Sequence, residues 1–578
     1  MRIRFHGAAG TVTGSMMEIV DERLGVHALV DCGMTQGEDA AGSAAWTGRF
    51  PFDPTTLQAV FLTHAHLDHC GRLLELVDSG FKEKIWCTPE TRALTMLQLN
   101  DGIIQVHPSA RPAARAALKA LQRDDRWNTE VSPIDKANSL FMRRGALGKV
   151  FVRALRSSHL LGAVGWQFMW KSADGTRHAL VCYGDSGPTS LDHDAGLLLG
   201  DNHQAATPVL SCDHLSMVVE STYGQDPERT PVGRAERLTA LARALREVAN
   251  GATLVVPAFS FGRTQDVLFD IACLRRDDPK LRDVRVLTPQ DRTLGDSGSA
   301  VYAEHLLQVR RPAAKPHHKV EVRTVWPNRA IWSSLGLDLK DHKQRAVAQV
   351  WLQDALGLDA AEPPATASER AQLPGLPRAE RITNTAPGAM LTPGTVVVAG
   401  SGMGDHGVMH GLLRRALRTE HALIGLVGFG SPGSAVAALR ALHKSRTELS
   451  AGDLEAIGNQ PLDGELGKNQ PNGDRAVCYG DVRARVVELP GYGGHATLNQ
   501  LRRLVAPEPV VGYEKYRIRH PDRLFVVHGA PYAQGKVAES MRELLGEAAD
   551  VITPKARDAR WYSVEAGTDA VDDEHPSA

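Results

Sequence analysis

The 578-residue sequence lacks net charge and long apolar runs. Its 66 Lys and Arg residues oppose 67 Asp and Glu residues, which leaves −1 at pH 7. No run of about 18 apolar residues, the length that a membrane-spanning helix needs, is present. The start, MRIRFHGAAG, lacks the apolar stretch of a secretory signal peptide. We therefore expect neither a membrane span nor a membrane partner.

Cysteine is also scarce, and its spacing has no pattern that indicates a disulfide framework. The seven cysteines are odd in number and scattered along the chain. Such usage is typical of reduced thiols, so we expect a cytoplasmic location.

The balanced charge bears on nucleic-acid binding, which usually depends on a basic field that neutralises phosphates. Any such field in this chain must be local. Two basic runs are candidates, although each could equally be an ordinary solvated face. They lie at residues 310–345 and 515–523.

The length predicts two or three domains, and 43% hydrophobic with 23% charged residues is typical of a globular protein. Short apolar strands alternate with helical stretches, which indicates an α/β protein. Several strands end in a polar or glycine residue, as in HALVDCG, AVFLTH and HALVCYGD. Residues 360–377 and 458–474 are predicted linkers or long loops, and residues 565–578 form an acidic tail that is expected to be disordered.

The most informative segment is THAHLDH at residues 63–69. It places three histidines and an aspartate within six residues, between a strand and an amphipathic helix. Imidazole and carboxylate are preferred zinc ligands, and an extended turn would point them at two adjacent metals. A mere helix cap is a poor alternative, because clustered histidines repel each other on protonation.

HxHxDH is the signature of the metallo-beta-lactamase fold, and other parts of the chain resemble that superfamily in order. Asp31 matches an aspartate that orients a metal ligand from behind. His159 matches the third histidine of the first metal, and Asp185 matches the aspartate that bridges both metals.

Later segments resemble the beta-CASP branch, which includes ribonuclease J and the cleavage and polyadenylation endonuclease. In MVVESTYG, Glu220 falls on motif A; in VVVAGSGMGDHGVMHGLL, His410 falls on motif B; in VVELPGYGGHATLNQL, His495 falls on motif C. The chain departs from the branch in GGHAT around motif C and in HGA, rather than HGE, at His528. Motif B is one residue short, which leaves His406 as a rival to His410.

This resemblance implies a metallo-beta-lactamase αββα sandwich with an inserted α/β beta-CASP domain. The expected divisions are residues 1–222 for the first part of the sandwich, 223–430 for the insert, 431–564 for the returning part and 565–578 for the tail.

The resemblance also implies a site with two Zn²⁺ ions and a hydroxide that they activate. The first ion would be bound by His64, His66, His159 and Asp185, and the second by Asp68, His69, Asp185 and His495. The catalytic residues would be Asp68, which could accept the proton of the attacking water, the general acid His410, its partner Glu220, and Asp31. Arg263 and, more weakly, Ser401 are candidate substrate contacts, and His528 is a candidate for the edge of the site.

The predicted function is a zinc-dependent ribonuclease that hydrolyses single-stranded RNA. The alternatives are a DNA nuclease of the same branch, a small-molecule hydrolase and a non-catalytic RNA-binding scaffold. His495 favours RNA, the long insert disfavours a small substrate, and the complete ligand set disfavours a scaffold. Whether the protein acts as a homodimer or within a larger RNA-processing complex stays open.

Overall fold

A computed structural model of the 578-residue chain provides the coordinates. The structure describes residues 1–35, 49–103, 107–129, 131–134, 139–142, 147, 149–187, 212–224, 226, 228–289, 298–306, 332–333, 335–339, 341–357, 379–382, 387–401, 403–405, 407–428, 430, 433–448, 450, 453, 456–470, 473–507, 520–558 and 560–565.

The strands, in chain order, are β1 Arg2–Gly7, β2 Met16–Asp21, β3 Val26–Val30, β4 Ala59–Phe61, β5 Lys84–Trp86, β6 Trp127–Asn128, β7 Val131–Ile134, β8 Ser139–Met142, β9 Phe151–Arg156, β10 Val164–Lys171, β11 Arg177–Cys182, β12 His214–Val219, β13 Thr253–Pro257, β14 Arg285–Pro289, β15 Glu380–Ile382, β16 Thr395–Ala399, β17 Ala422–Leu426, β18 Arg485–Glu488, β19 Arg523–Val526, β20 Asp550–Ile552 and β21 Trp561–Ser563.

The α-helices are α1 Leu67–Cys70, α2 Leu73–Asp78, α3 Pro89–Gly102, α4 Arg111–Leu121, α5 Arg234–Ala249, α6 Arg263–Asp277, α7 Gly298–Leu306, α8 His342–Ala355, α9 Gly407–Leu417, α10 Ala435–Glu448, α11 Leu498–Val505 and α12 Pro531–Leu545.

Two mixed sheets pack face to face. The first has the order β21-β1-β2-β3-β4-β5-β6, and the second β20-β19-β12-β11-β10-β9-β8-β7. Their shared core is rich in aromatic side chains: Phe61 from the first sheet packs edge-on against Trp166 and Phe168 from the second, with ring centroids 5.2 Å and 5.1 Å apart. The Trp166 indole N–H donates to the Leu62 carbonyl across the same interface, so the one polar atom of that ring is satisfied.

Helices cover the outer faces of both sheets. Apolar residues of α2, α3 and α4 form a core with the first sheet, and those of α11 and α12 form one with the second. The α11 helix begins at a capping box in which Thr497 accepts from the Gln500 N–H and the Gln500 side chain accepts from the Thr497 N–H. This is an αββα sandwich, as predicted.

A third sheet, of order β15-β14-β16-β13-β17-β18, is parallel throughout. Strands β13, β16 and β17 are buried along their whole length. Their continuous apolar sequences follow from coverage on both faces, by α5 to α8 on one side and by α9 and α10 on the other. The inserted α/β unit is therefore confirmed as part of the fold class.

The insert extends further than the predicted end at residue 430. Strand β18 pairs with β17 in register from Leu423↔Arg485 to Leu426↔Glu488. The return to the sandwich therefore follows Glu488 rather than residue 431, because the chain must complete this sheet before it re-enters the second one at α11 and β19.

The predicted loops, basic runs and tail are described only in part. Residues 358–378, residues 310–331 of the first basic run, residues 508–519 and the tail 566–578 lie outside the described residues. Arg523, which was included in the second basic run, is buried and donates to the Ser563 carbonyl at 2.7 Å, so it does not contribute to a basic surface. The described part of 458–474 is a long loop, and Arg414 of α9 binds its Leu466 carbonyl at 2.9 Å.

Among the described residues, no helix is both long and apolar enough to cross a membrane. None of the seven cysteines forms a disulfide.

Glu18 on β2 joins three adjacent strands through a buried charge. Its carboxylate oxygens each lie 2.8 Å from a histidine nitrogen, His6 Nε2 of β1 and His27 Nε2 of β3. Burial by itself would raise the pKa of Glu18, but the hydrogen bonds to His27 and His6 outweigh it and lower the pKa from 4.5 to about 2. The ionised carboxylate is thus favoured in the folded state.

We expect Glu18→Gln to lower the urea midpoint for unfolding of the sandwich at neutral pH. The free energy of unfolding should fall by about 1–3 kcal/mol. A carboxyl whose pKa is lower in the folded chain stabilises the fold above its unfolded pKa and loses this effect as the pH falls. The difference from the unchanged protein should therefore be full above pH 4.5 and shrink toward pH 2. Urea denaturation at a series of pH values tests this, with exposed Glu22→Gln as the control; a gap that persists at pH 2 would contradict it.

Candidate metal centre

The site lies where strands of the two packed sheets end. Asp31 follows β3, His64 follows β4 after two residues, and Asp185 follows β11. Three more candidate residues follow strands in the same way: His159 after β9, Glu220 directly after β12 and His528 after β19. Because β9, β11, β12 and β19 run in one direction, their carboxyl ends meet at one edge of the second sheet.

The first cluster consists of His64, His66, His159 and one oxygen of Asp185. His66 Nδ1 lies 3.1 Å from both His64 Nε2 and His159 Nε2. Asp185 Oδ2 lies 3.4 Å from His159 Nε2 and 3.7 Å from His64 Nε2. With zinc–nitrogen bonds of about 2.0–2.1 Å, neighbouring ligand atoms of a tetrahedral shell stand about 3.3–3.4 Å apart, so this spacing fits one ion.

The second cluster consists of Asp68, His69, His528 and the other oxygen of Asp185. Asp185 Oδ1 lies 3.2 Å from His69 Nε2 and 3.3 Å from His528 Nε2, and Asp68 Oδ2 lies 3.5 Å from His528 Nε2. Asp185 Oδ1 is buried and has no hydrogen-bond partner among the described residues. Such an oxygen is costly to bury unless a cation binds it, so the residues fit a second metal.

His528 lies closer to the metal clusters than its sequence motif predicts. It was expected at the edge of the site, with His495 as the fourth ligand of the second metal. In the structure His528 Nε2 is 3.1 Å from His69 Nε2, whereas His495 belongs to a different group. The signal was available, because RLFVVHG has the same strand-then-polar form as the other ligand segments.

His495 instead forms a pair with Glu220. Its Nδ1 lies 2.7 Å from Glu220 Oε2 and 3.9 Å from Asp185 Oδ2. The other oxygen of Glu220 accepts from the Ser186 backbone N–H at 2.6 Å. Asp185, Glu220 and His495 are also close enough to form a third possible ion-binding group, but both oxygens of Glu220 already accept hydrogen bonds. We interpret this carboxylate as a group that orients His495.

The expected pair of Glu220 and His410 is not formed. His410 lies on α9, where its Nδ1 is 3.2 Å from the Gly404 carbonyl oxygen, and burial lowers its pKa. Its rival His406 lies outside the described residues.

Hydrogen bonds from residues outside the two clusters orient the ligands. Asp31, at a φ of +63°, places Oδ2 2.7 Å from His69 Nδ1 and accepts from the Thr63 N–H through Oδ1. His159 Nδ1 donates to the Gly494 carbonyl at 2.7 Å. Such partners fix the tautomer, so that the other ring nitrogen faces the metal. Close packing is needed too: a Cβ at Gly33 would lie 1.7 Å from the Asp68 carbonyl.

The electrostatics of the first cluster suit metal ligation. Burial lowers the pKa values of His64 and His159 well below the usual range for histidine. It lowers the pKa of His66 to about 4. All three imidazoles are therefore neutral at pH 7. Burial opposes ionisation of Asp185, yet the surrounding histidines, His528 and His69 foremost, hold its pKa well below the usual value. Neutral imidazole and ionised carboxylate are the forms that bind metals.

The two predicted substrate contacts, Arg263 and Ser401, differ in their surroundings. Arg263 is buried; its guanidinium donates to Asp266 and to the His159 carbonyl, both at 2.9 Å. We interpret it as a residue that positions His159. Ser401 is partly exposed between β16 and α9, at a φ of +86°.

The chain is similar to one protein-family model and to several known proteins. Residues 15–133 match the model of the metallo-beta-lactamase superfamily. A ribonuclease of Thermus thermophilus is 26% identical, with 94% of this chain and 100% of that protein aligned. An RNase J-like protein of Methanocaldococcus jannaschii is 25% identical over 50% of this chain and 58% of its own length. Cleavage and polyadenylation specificity factor 73 of Drosophila melanogaster is 26% identical over 46% of this chain and 35% of its own length.

We expect His528→Ala to lose about one metal ion per chain, because it removes a ligand of the second cluster, whereas His495→Ala should keep both ions. Elemental analysis of the purified variants measures the stoichiometry, and His410→Ala is the matched control. If His495→Ala lost an ion while His528→Ala kept two, the ligand assignment would be reversed.

Proposed function

We propose that this chain, which belongs to the metallo-beta-lactamase superfamily, is a zinc-dependent ribonuclease that hydrolyses phosphodiester bonds of single-stranded RNA. The observation that carries the proposal is the single buried carboxylate of Asp185, whose two oxygens face two separate sets of ligands. Similarity to a ribonuclease along 94% of the chain supports RNA as the substrate.

The ligand chemistry supports zinc. Five imidazoles and two carboxylates make up the two clusters, and nitrogen-rich sets with carboxylate suit zinc better than calcium or magnesium, which prefer all-oxygen shells. When two such ions are bound, they lower the pKa of a water and neutralise charge that develops on the phosphate.

The side chains have separate roles in this proposal. Asp185 holds the two clusters together, and Asp31 and Gly494 hold the rings of His69 and His159 in place. Asp68, which has 18% side-chain exposure, is the carboxylate that can receive the proton of the attacking water.

The leaving oxygen needs a proton, and we assign that task to His495 rather than His410. The bond from His495 Nδ1 to Glu220 leaves Nε2 to carry the transferable proton, and the side chain keeps 17% exposure. Although burial would lower the pKa of His495, Glu220 and Asp185 outweigh it and raise the pKa. A charged imidazole oriented by a carboxylate is suited to general acid catalysis.

The first test is cleavage of matched 5′- and 3′-labelled RNA and DNA oligonucleotides, with and without a strong chelator. We expect RNA to be cut faster than DNA and all cleavage to stop in chelator. Equal or faster cleavage of DNA would assign the protein to the DNA nucleases, and undiminished activity in chelator would refute metal catalysis. Binding without cleavage under any metal condition would favour a scaffold.

A second test separates the acid from the metal ligands. His495→Ala should keep both ions and bind RNA, yet cleave about 10²–10⁴-fold more slowly, because only protonation of the leaving oxygen is lost. Glu220→Gln should show a milder form of the defect. A substrate with a sulfur leaving atom, which needs no proton, should restore cleavage by His495→Ala.

The same sulfur substrate should not restore Asp185→Asn, which we expect to lose metal. If the sulfur substrate does not restore cleavage by His495→Ala, or if it restores cleavage by His410→Ala instead, His495 is not the acid.

A further inference from the structure

The segment after Glu220 places an exposed arginine beside the His495 pair. Arg229 lies in the turn that follows β12, and its guanidinium stacks over the Tyr223 ring, with Cζ 4.2 Å from the centroid. Among the residues that the structure describes, no carboxylate forms an ion pair with this guanidinium. It is held by an aromatic face, which fixes its position without neutralising its charge.

Tyr223 connects this arginine to the catalytic loop. Its ring meets the His495 ring edge-on at 5.4 Å, its hydroxyl has a hydrogen bond with the Gly494 backbone, and only 4% of the residue is exposed. The tyrosine is therefore rigid, so the guanidinium on its outer face has a defined position relative to the imidazole.

A series of ring contacts connects this position to the metal cluster. The His495 ring packs against the metal-cluster residue His159 at 4.8 Å and against Tyr223 at 5.4 Å. Arg229 is thus connected to the first cluster through the Tyr223 and His495 rings. The acid protonates the leaving oxygen, so the strand that departs with that oxygen lies next to His495, within reach of groups packed around that ring.

We propose that Arg229, seated on Tyr223, binds a backbone phosphate of the departing strand. This inference rests on the proposed function. A guanidinium binds phosphate oxygens through paired N–H donors, and a local cation is what a nearly neutral nuclease needs along its substrate path. The subsite recognises the phosphate rather than the base, so it supplies affinity and alignment without sequence preference.

The test compares Arg229→Gln with Arg177→Gln, a matched loss of an exposed arginine. Arg177 lies at the start of β11, the opposite end of that strand from Asp185, and pairs with Asp213. Arg229→Gln should raise KM for RNA roughly tenfold with little change in kcat and no loss of metal, whereas Arg177→Gln should change neither constant. The salt dependence of RNA binding should also become shallower by about 0.7 in the log–log slope.

Oligonucleotides with a single uncharged methylphosphonate identify the contacted phosphate. At one position on the leaving side of the scissile bond, the methylphosphonate and Arg229→Gln should not be additive, because each removes the same contact. Additive losses at every position, or equal effects of the two arginine variants, would overturn the subsite.

Binding measurements with the same oligonucleotides keep the two proposals separate. A protein that never cleaves RNA refutes the proposed function, while an Arg229-specific, methylphosphonate-sensitive loss of binding would still support the phosphate contact. If the protein cleaves RNA and the Arg229→Gln variant has an unchanged KM, the subsite is refuted while the proposed function stands.

Discussion

The rest of the site depends on one buried carboxylate between two groups of histidines. Asp185 is only 4% exposed, and its two oxygens face His159 and His64 on one side and His69 and His528 on the other. Such a charge is stable in a protein interior only with cations beside it. The αββα sandwich provides this arrangement, because strands of both sheets end at the same edge and deliver their polar residues to one point.

The inserted unit contributes residues to the same site. Its last strand, Arg485–Glu488, leads directly into the loop that carries His495, so the proposed acid is attached to the insert while its carboxylate partner Glu220 belongs to the sandwich. Arg263 from the insert also binds the carbonyl of His159. A buried pair of Arg237 and Asp270, at 2.8 Å, and the Tyr492 hydroxyl on Asp270, at 2.9 Å, fix the loop before His495. Residues of both units therefore form the site together.

Sequence patterns predicted the fold class. The HxHxDH spacing also predicted that His64, His66 and His69 lie close together, because their grouping depends on the local geometry of one turn. The distinction between His495 and His528 could not be made in this way. Both follow strands, and only the pairing of the Arg523–Val526 strand with the His214–Val219 strand brings His528 to the second cluster. The end of the insert was missed for a related reason, since the strand that completes its sheet is separated from its neighbour by nearly sixty residues.

The central claim is that Asp185 bridges two ions, and diffraction from zinc-loaded crystals tests it most directly. Anomalous maps collected on either side of the zinc absorption edge should contain two peaks per chain. One should lie among His64, His66, His159 and Asp185, and the other among Asp68, His69, His528 and Asp185. A single peak, a second peak bound by His495 in place of His528, or no peak near Asp185 would contradict the account.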